Sequence, residues 1–424
     1  MTYRRAFCAL LLFTSPLAAQ DTTTRGVRIG LTYDPGSKLG VVVLRGAGTG
    51  ADSIRAIVQR DLDFGDRISV IRIDSPSDTG RDVVPNWAVL AKLGAAAAVQ
   101  ITPTPTGMHL AVYDVAKQTT ALVREYVAPA MSDLRGWRAA LHGLSDDIEE
   151  SFTGTRGIAR TRVLFERAKR IYVADSDGEQ VVALTPTASV MSPSWSPNGQ
   201  SMVYTNWQPP AHVVVHDLTT GRERTVFSGG GVSVTPVFSP DGSTIAFGHG
   251  VDDGVDIYAV DAAGTNVRRL SVGHGSDNTS PTFSPDGRRL AFMSGRAGHP
   301  ELYTMDADGA NFSPLTPLDF GENAYRANPD WSPAGQTVAF QSMISGIFQI
   351  MTINLRDLGM KQLTSDGKNE EPSWAPDGRH LVFSSNRSGS KQLWVVDVET
   401  GRTRQLTRGA AVRNPSWSPR LSSN

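Results

Sequence analysis

The sequence predicts two domains, an N-terminal α/β domain followed by a six-bladed β-propeller closed by the C-terminal strand. Three observations predict this: a short motif recurring six times at near-constant spacing, a tail that ends in the motif's first strand alone, and an unrepeated stretch ahead of them with mixed strand and helix periodicity.

The motif copies are SPSWSPNG (192–199), TPVFSPDG (235–242), SPTFSPDG (280–287), NPDWSPAG (328–335), EPSWAPDG (371–378) and NPSWSPRL (414–421). Their aromatic residues Trp195, Phe238, Phe283, Trp331, Trp374 and Trp417 lie 43, 45, 48, 43 and 43 residues apart. A period of roughly 40 to 50 residues in β-type sequence marks propeller blades. The third copy shows a whole blade, with strands at 281–284, 289–294, 301–306 and 311–316. Between the first two, Pro285-Asp286-Gly287 makes a turn in which proline presets φ and glycine takes the positive-φ position. The D-x-D-G runs at 175–178 and 306–309 read as hairpin turns, since a calcium loop needs further carboxylates and a distal glutamate. Identical placement of the motif aromatics in every unit says that they wedge between neighbouring blades.

Both ends of the repeat region are incomplete in complementary ways. Residues 162–165, 170–175 and 180–184 resemble strands two to four without a first, and 414–421 is a first strand with nothing after it. Pairing the two closes the ring and removes two open edges, which would otherwise be aggregation sites.

The region 20–157 lacks the repeat. Strands are expected at 27–33, 39–44, 68–73, 95–102, 109–115 and 120–126, and helices at 51–63 and 86–93. Ser132 caps a long helix reaching about residue 152, and 154–157 makes the hinge to the propeller, which then spans 158–424. Residues 20–30 are polar at their start and read as a free arm. Residues 1–19 carry Arg4 and Arg5, an apolar run at 6–13 and a small-residue end, the pattern of a secretory signal peptide. Cys8, the sole cysteine, falls inside it, so the mature chain excludes disulfides, thiolate catalysis and Cys-ligated metal.

Lys plus Arg total 41 against 42 Asp plus Glu. With no global field, neither nucleic acid nor direct membrane insertion is expected. No nucleophile elbow, H-E-x-x-H pair or phosphate-binding loop occurs, and the glycine run at 46–50 lacks a phosphate fingerprint. The eight histidines are scattered; His212 and His216 lie on one strand about 13 Å apart, too far to share a metal. No catalytic, cofactor or metal residue is therefore assigned. Function is expected in the loops ahead of each motif, at 188–191, 230–234, 275–279, 320–328, 367–371 and 410–413, which open onto the channel and differ between blades. The longest contains Phe320, Tyr325 and Arg326, a combination typical of interface hot spots.

The layout resembles the TolB family of the periplasmic Tol-Pal envelope system. The resemblance is carried by Val27-Arg28-Ile29-Gly30, residues 57–62 and 87–103, the junction Phe152-Thr153-Gly154 with Arg160-Thr161-Arg162, residues 191–197 and the closing Pro415-Ser416-Trp417-Ser418-Pro419. It implies a periplasmic, non-enzymatic adaptor without cofactor that links the lipoprotein Pal to TolA and supports outer-membrane integrity and invagination during division. Other outer-membrane proteins are further partners on this reading. It implies a Pal surface at one mouth of the propeller, placed by position at Val232, Ser233, Thr235, Asp277, Asn278 and Thr279 and extended over the rim to Glu322, Asn323, Tyr325, Arg326 and Glu370. It implies a TolA-binding arm at Asp21, Thr22, Thr23, Thr24, Arg25, Val27 and Arg28. The alternative is a propeller enzyme or solute binder using the central channel, in the manner of calcium-dependent lactonases.

Overall fold

The computed structural model describes residues 38–73, 85–186, 189–250, 254–273, 276–317 and 325–422. The signal segment, the arm with all its named residues, the strand expected at 27–33, and Glu322 and Asn323 lie outside them.

The α/β domain is built on a five-stranded sheet. Strand β1 (Leu39–Arg45) lies between β2 (Ile68–Ile71) and β3 (Ala97–Thr104), parallel to both, and β4 (Gly107–Asp114) and β5 (Thr119–Val127) continue antiparallel from β3. The run Val41-Val42-Val43-Leu44 is apolar throughout because both faces of β1 are covered. Val41 and Val43 pack with Ile54, Val58 and Leu62 of α1 (Ala51–Phe64) and with Leu141, Leu144 and Ile148 of α3 (Leu134–Thr153). Val42 and Leu44 face Leu90 and Trp87 of α2 (Trp87–Lys92). The glycines after β1 have structural work. A Cβ on Gly46 would lie 2.1 Å from the carbonyl oxygen of Ile101, and Gly50 precedes α1 at φ 82°.

One local expectation differs from the structure. The cap of α3 is Asp133 rather than Ser132: its Oδ1 accepts the Gly136 N–H at 3.1 Å. The segment 154–157, expected as the hinge, is followed by bonds back to α3. Gly154 ends α3 in a left-handed turn, and the buried Asp146 carboxylate then accepts the N–H groups of Ala159 (2.7 Å) and Arg160 (3.0 Å), tying the linker back onto the helix.

The propeller has six four-stranded antiparallel blades. Blades I to V run over 190–227, 232–269, 278–314, 326–362 and 369–405. Blade VI joins Val412–Trp417 to Arg162–Arg167, Arg170–Asp175 and Val182–Ala183, so the chain closes the ring as the sequence implies. The second strands carry the largest fully buried side chains, among them Phe247, Phe292, Phe340 and Phe383. The motif tryptophans lie in the seams. Trp374 Nε1 donates to Asp330 O and Trp195 Nε1 to Ser416 O, each in the preceding blade and each at 3.0 Å.

Candidate functional site at the open mouth of the propeller

Every first strand enters the channel through the residue before its motif proline. Ser192, Thr235, Ser280, Asn328, Glu371 and Asn414 have φ between 49° and 59°, and each lies where pairing with the second strand slips in a bulge. A left-handed residue with a Cβ costs roughly 1 kcal/mol or more. The bulges return hydrogen bonds across the seams: Ser280 N–H to Thr235 Oγ1 (3.0 Å), Glu371 N–H to Gln341 Oε1 (3.0 Å) and Asn414 N–H to Glu371 Oε2 (2.8 Å). Two residues further along, Thr282, Asp330 and Ser373 accept the N–H of Trp331, Trp374 and Trp417 in the next blade. Asp330 and Glu371 are the carboxylates in the described channel wall, and both are engaged in these seams. Burial pushes the Asp330 carboxyl up to about 6.

Below the rim, a second set of bonds recurs. A polar residue at or near the start of the third strand binds the hydroxyl 15 positions later: Asp256 with Ser271 (2.9 Å), Glu301 with Thr316 (2.5 Å), Gln349 with Thr364 (2.8 Å) and Gln392 with Thr407 (2.9 Å). Three of these acceptors also hold the residue opening the next blade. Asn278 Nδ2 donates to Asp256 Oδ1 and Asn369 Nδ2 to Gln349 Oε1, both at 2.8 Å, and Arg326 Nη1 donates to both Glu301 oxygens at 2.9 Å. Blade is thus clasped to blade beneath the mouth.

This arrangement sorts the rim residues. Asn278 and Arg326 are buried clasps, and Ser233 is buried beside His249, its Oγ 3.1 Å from Nδ1. Thr235 is half-buried in the channel seam. Asp277 is exposed, with Oδ1 accepting the Val255 N–H; Val232 and Thr279 are half-buried at the mouth. Tyr325 is 36% exposed and meets Phe348 edge-on at 5.1 Å. Beside them, Ile344 and Ile347 project on the hairpin joining the eight-residue strands of blade IV, two residues longer than the corresponding strands of blade III. Glu370 is half-buried; burial opposes its charge, but Lys391 (2.8 Å) and Lys368 (2.9 Å) hold its carboxyl below the usual range.

The opposite face carries the α/β domain, seated over the turns of blades V and VI by charges that single-residue patterns do not reveal. Asp177, in the first D-x-D-G turn, accepts from Arg60 of α1 and from Arg138 of α3 (2.6 Å), while Asp61 binds His142 Nδ1 at 2.8 Å. A second network joins Asp66 to Arg402 (2.7 Å), His380 to Asp377 (2.8 Å), and Arg67 to both Glu149 and Asp377 at 3.3 Å. Burial works against the His380 charge, yet Asp377 and Asp66 raise its pKa; Asp377, against the same effect of burial, is held low by His380. Asp61, His142 and Asp177, and likewise Asp66, His380 and Asp397, have the spacing of metal ligands. Guanidinium groups already sit on the carboxylates of Asp177, Asp66 and Asp397, so both groups act as ion-pair networks.

Glu149 gives this interface a pH dependence. Burial pushes its carboxyl up to about 8, against the attraction of Arg67. A group raised on folding contributes stability that is full below its unfolded pKa, ordinarily near 4.3, and lost as pH rises through the folded value. Unfolding in urea should therefore show stability falling between pH 5 and 8, by less in Glu149→Gln than in the parent protein. Equal slopes would remove Glu149 as a cause.

Ring and seated domain together define a six-bladed propeller protein with an α/β domain on one face and a mouth on the other that no described residue covers. The TolB beta propeller domain family matches residues 149–421, and the chain belongs to that family. It is 32% identical over 212 residues to the Tol-Pal system protein TolB of Polaromonas sp., covering 46% of this chain and 47% of that one. It is 30% identical over 244 residues to the Tol-Pal system protein TolB of Escherichia fergusonii, covering 53% and 55% respectively. The chain thus spans about half the length of the curated relatives it matches. The crystal structure of TolB from Acinetobacter baumannii shares the fold, with a TM-score of 0.77 and 23% identity over 93% of this chain and all of that one.

Proposed function

We propose that this protein is a non-catalytic, periplasmic adaptor of a Tol-Pal system, binding the lipoprotein Pal at the open mouth of the propeller and TolA through residues 20–30. On this reading residues 1–19 direct export, the α/β domain ends at 157, and the bridge between partners supports outer-membrane integrity and invagination at division. One observation carries the Pal assignment: among the described residues nothing covers the mouth opposite the seated domain, and it presents Asp277, Thr279, Tyr325 and Glu370 above clasps that join blades II to V. A preorganised surface of this kind loses little entropy on binding. No helix among the described residues is long and apolar enough to cross a membrane.

The test is titration of purified protein with purified soluble Pal, comparing the parent chain with Asp277→Ala/Thr279→Arg. Asn278 is left intact because its loss would unclasp blades II and III. Binding by the parent and a loss of about tenfold or more in the variant, at unchanged melting temperature, is expected if rim residues act as hot spots. Equal affinity of the two proteins, or no binding by the parent, would refute the assignment of Pal to this mouth.

A further inference from the structure

A cavity of about 360 Å³ lies between α3 and the turns of blades VI and I, and Arg135, Arg160 and Arg162 all line it. Its walls contain one carboxylate, Asp175, which is already divided between Arg162 (Nε to Oδ1, 3.2 Å) and Arg138 (Nε to Oδ2, 3.3 Å). Among the described residues, neither the Arg135 nor the Arg160 guanidinium has a hydrogen-bond or ion-pair partner. The acids nearest Arg160 are occupied elsewhere: Asp146 by main-chain N–H groups, and Asp147 by Arg156 at 3.0 Å. His142, the remaining titratable group in the wall, is bound to Asp61. Burial, then the charge of Arg156, lowers the pKa of Arg160; burial, then the charge of Arg135, lowers that of Arg162. The cavity therefore concentrates positive charge that the acidic side chains among the described residues only partly neutralise.

Guanidinium groups are planar, permanently charged forks that match oxyanions in geometry and hold them with charge-assisted hydrogen bonds. We propose that this cavity binds a small ligand bearing at least two anionic oxygen groups, with Arg160 as the principal contact and Arg135 and Arg162 closing around it. Its volume falls in the range of small-molecule sites. Since the walls belong to both the α/β domain and the propeller, an occupant stabilises their seated arrangement by mass action.

The probes are inorganic pyrophosphate and citrate, titrated separately into the purified protein by calorimetry at matched ionic strength, since screening alone alters exposed charges. Saturable binding of at least one, with Kd below about 1 mM, is expected. Arg160→Gln should weaken it by about tenfold or more, as expected for losing a charged hydrogen bond, and Arg160→Lys should restore part of it. Pyrophosphate alone assigns a phosphate ligand; citrate alone assigns a carboxylate. Should Arg160→Gln fail to fold, Arg135→Gln, at an exposed position, supplies the same comparison. Absence of saturable binding by either probe, or affinity unchanged in the Gln variant, would overturn the proposal.

Discussion

A chain cut after Gly409 is expected to lose cooperative folding of the propeller. The cut removes Val412–Trp417, the innermost strand of blade VI, and with it the pairing to Arg162–Arg167. Val412 and Trp417 are buried in the seam, and Trp417 Nε1 donates to Thr161 Oγ1 at 2.8 Å. Loss of one buried tryptophan alone costs about 3–5 kcal/mol. The cut also strands Glu166, a buried carboxylate bound by Arg413 (2.7 Å) and Asn414 (3.0 Å), and such a charge left unpaired costs several kcal/mol more, of order 3–5. Together these losses approach the whole margin of a typical domain, about 5–15 kcal/mol. Circular dichroism during heating should show a broad, low transition or none. A melting temperature within about 2 °C of the full chain would mean that the ring stands without its closing strand.

Arg138→Ala is expected to destabilise the protein by about 3–5 kcal/mol, the effect of breaking a buried ion pair by removing one partner. Arg138 is 6% exposed, and the Asp177 carboxylate it meets is wholly buried. Burial raises the pKa of Asp177, but His142, Arg60 and Arg138 hold it below the ordinary range. A depressed acid contributes stability that is present above its unfolded pKa, about 3.9, and lost as pH falls through the folded value. The deficit of the variant should thus be largest near neutrality and shrink in acid. Arg45→Ala is the control: its partner Asp52 is largely exposed, and such a surface pair contributes little to stability. If urea unfolding at pH 7 gives both variants the same small loss, the Asp177 network is not what holds the α/β domain in place.

The blades were legible because each carries its own punctuation. Proline and glycine in the S-P-D-G turn fixed the start of the second strand, and the strands at 289–294 and 301–306 lie where the alternation put them. The fourth strand did not follow so well: 311–316 was expected, but Ser313–Pro314 alone is paired. That outer strand has a neighbour on one side only, and Thr316 turns inward to accept the Leu302 N–H through its hydroxyl. At the mouth, Asn278 and Arg326 read as surface contacts because polar residues in variable loops usually are. The signal that marks them as clasps is the 15-residue interval from Asp256 to Ser271 and from Glu301 to Thr316, visible only once the repeats are aligned. Asp177 was legible as a turn residue and illegible as the seat of the other domain. Its partner Arg60 is 117 residues away, and nothing local to either residue announces the other.

Closure by the last strand has a consequence for the order of synthesis. Trp417 and Thr161, joined in the finished ring, are 256 residues apart, yet loop-closure entropy grows only as the logarithm of that separation. The delay is kinetic rather than energetic: the strand at Arg162–Arg167 is made early and keeps one edge unpaired until Val412–Trp417 has been made and reaches it. A nascent chain that terminates prematurely cannot satisfy that edge, so incomplete products remain recognisable by their exposed backbone. Completion of the ring thereby depends on residues 412–417, and resistance of the propeller to proteases is expected only once they have paired with residues 162–167.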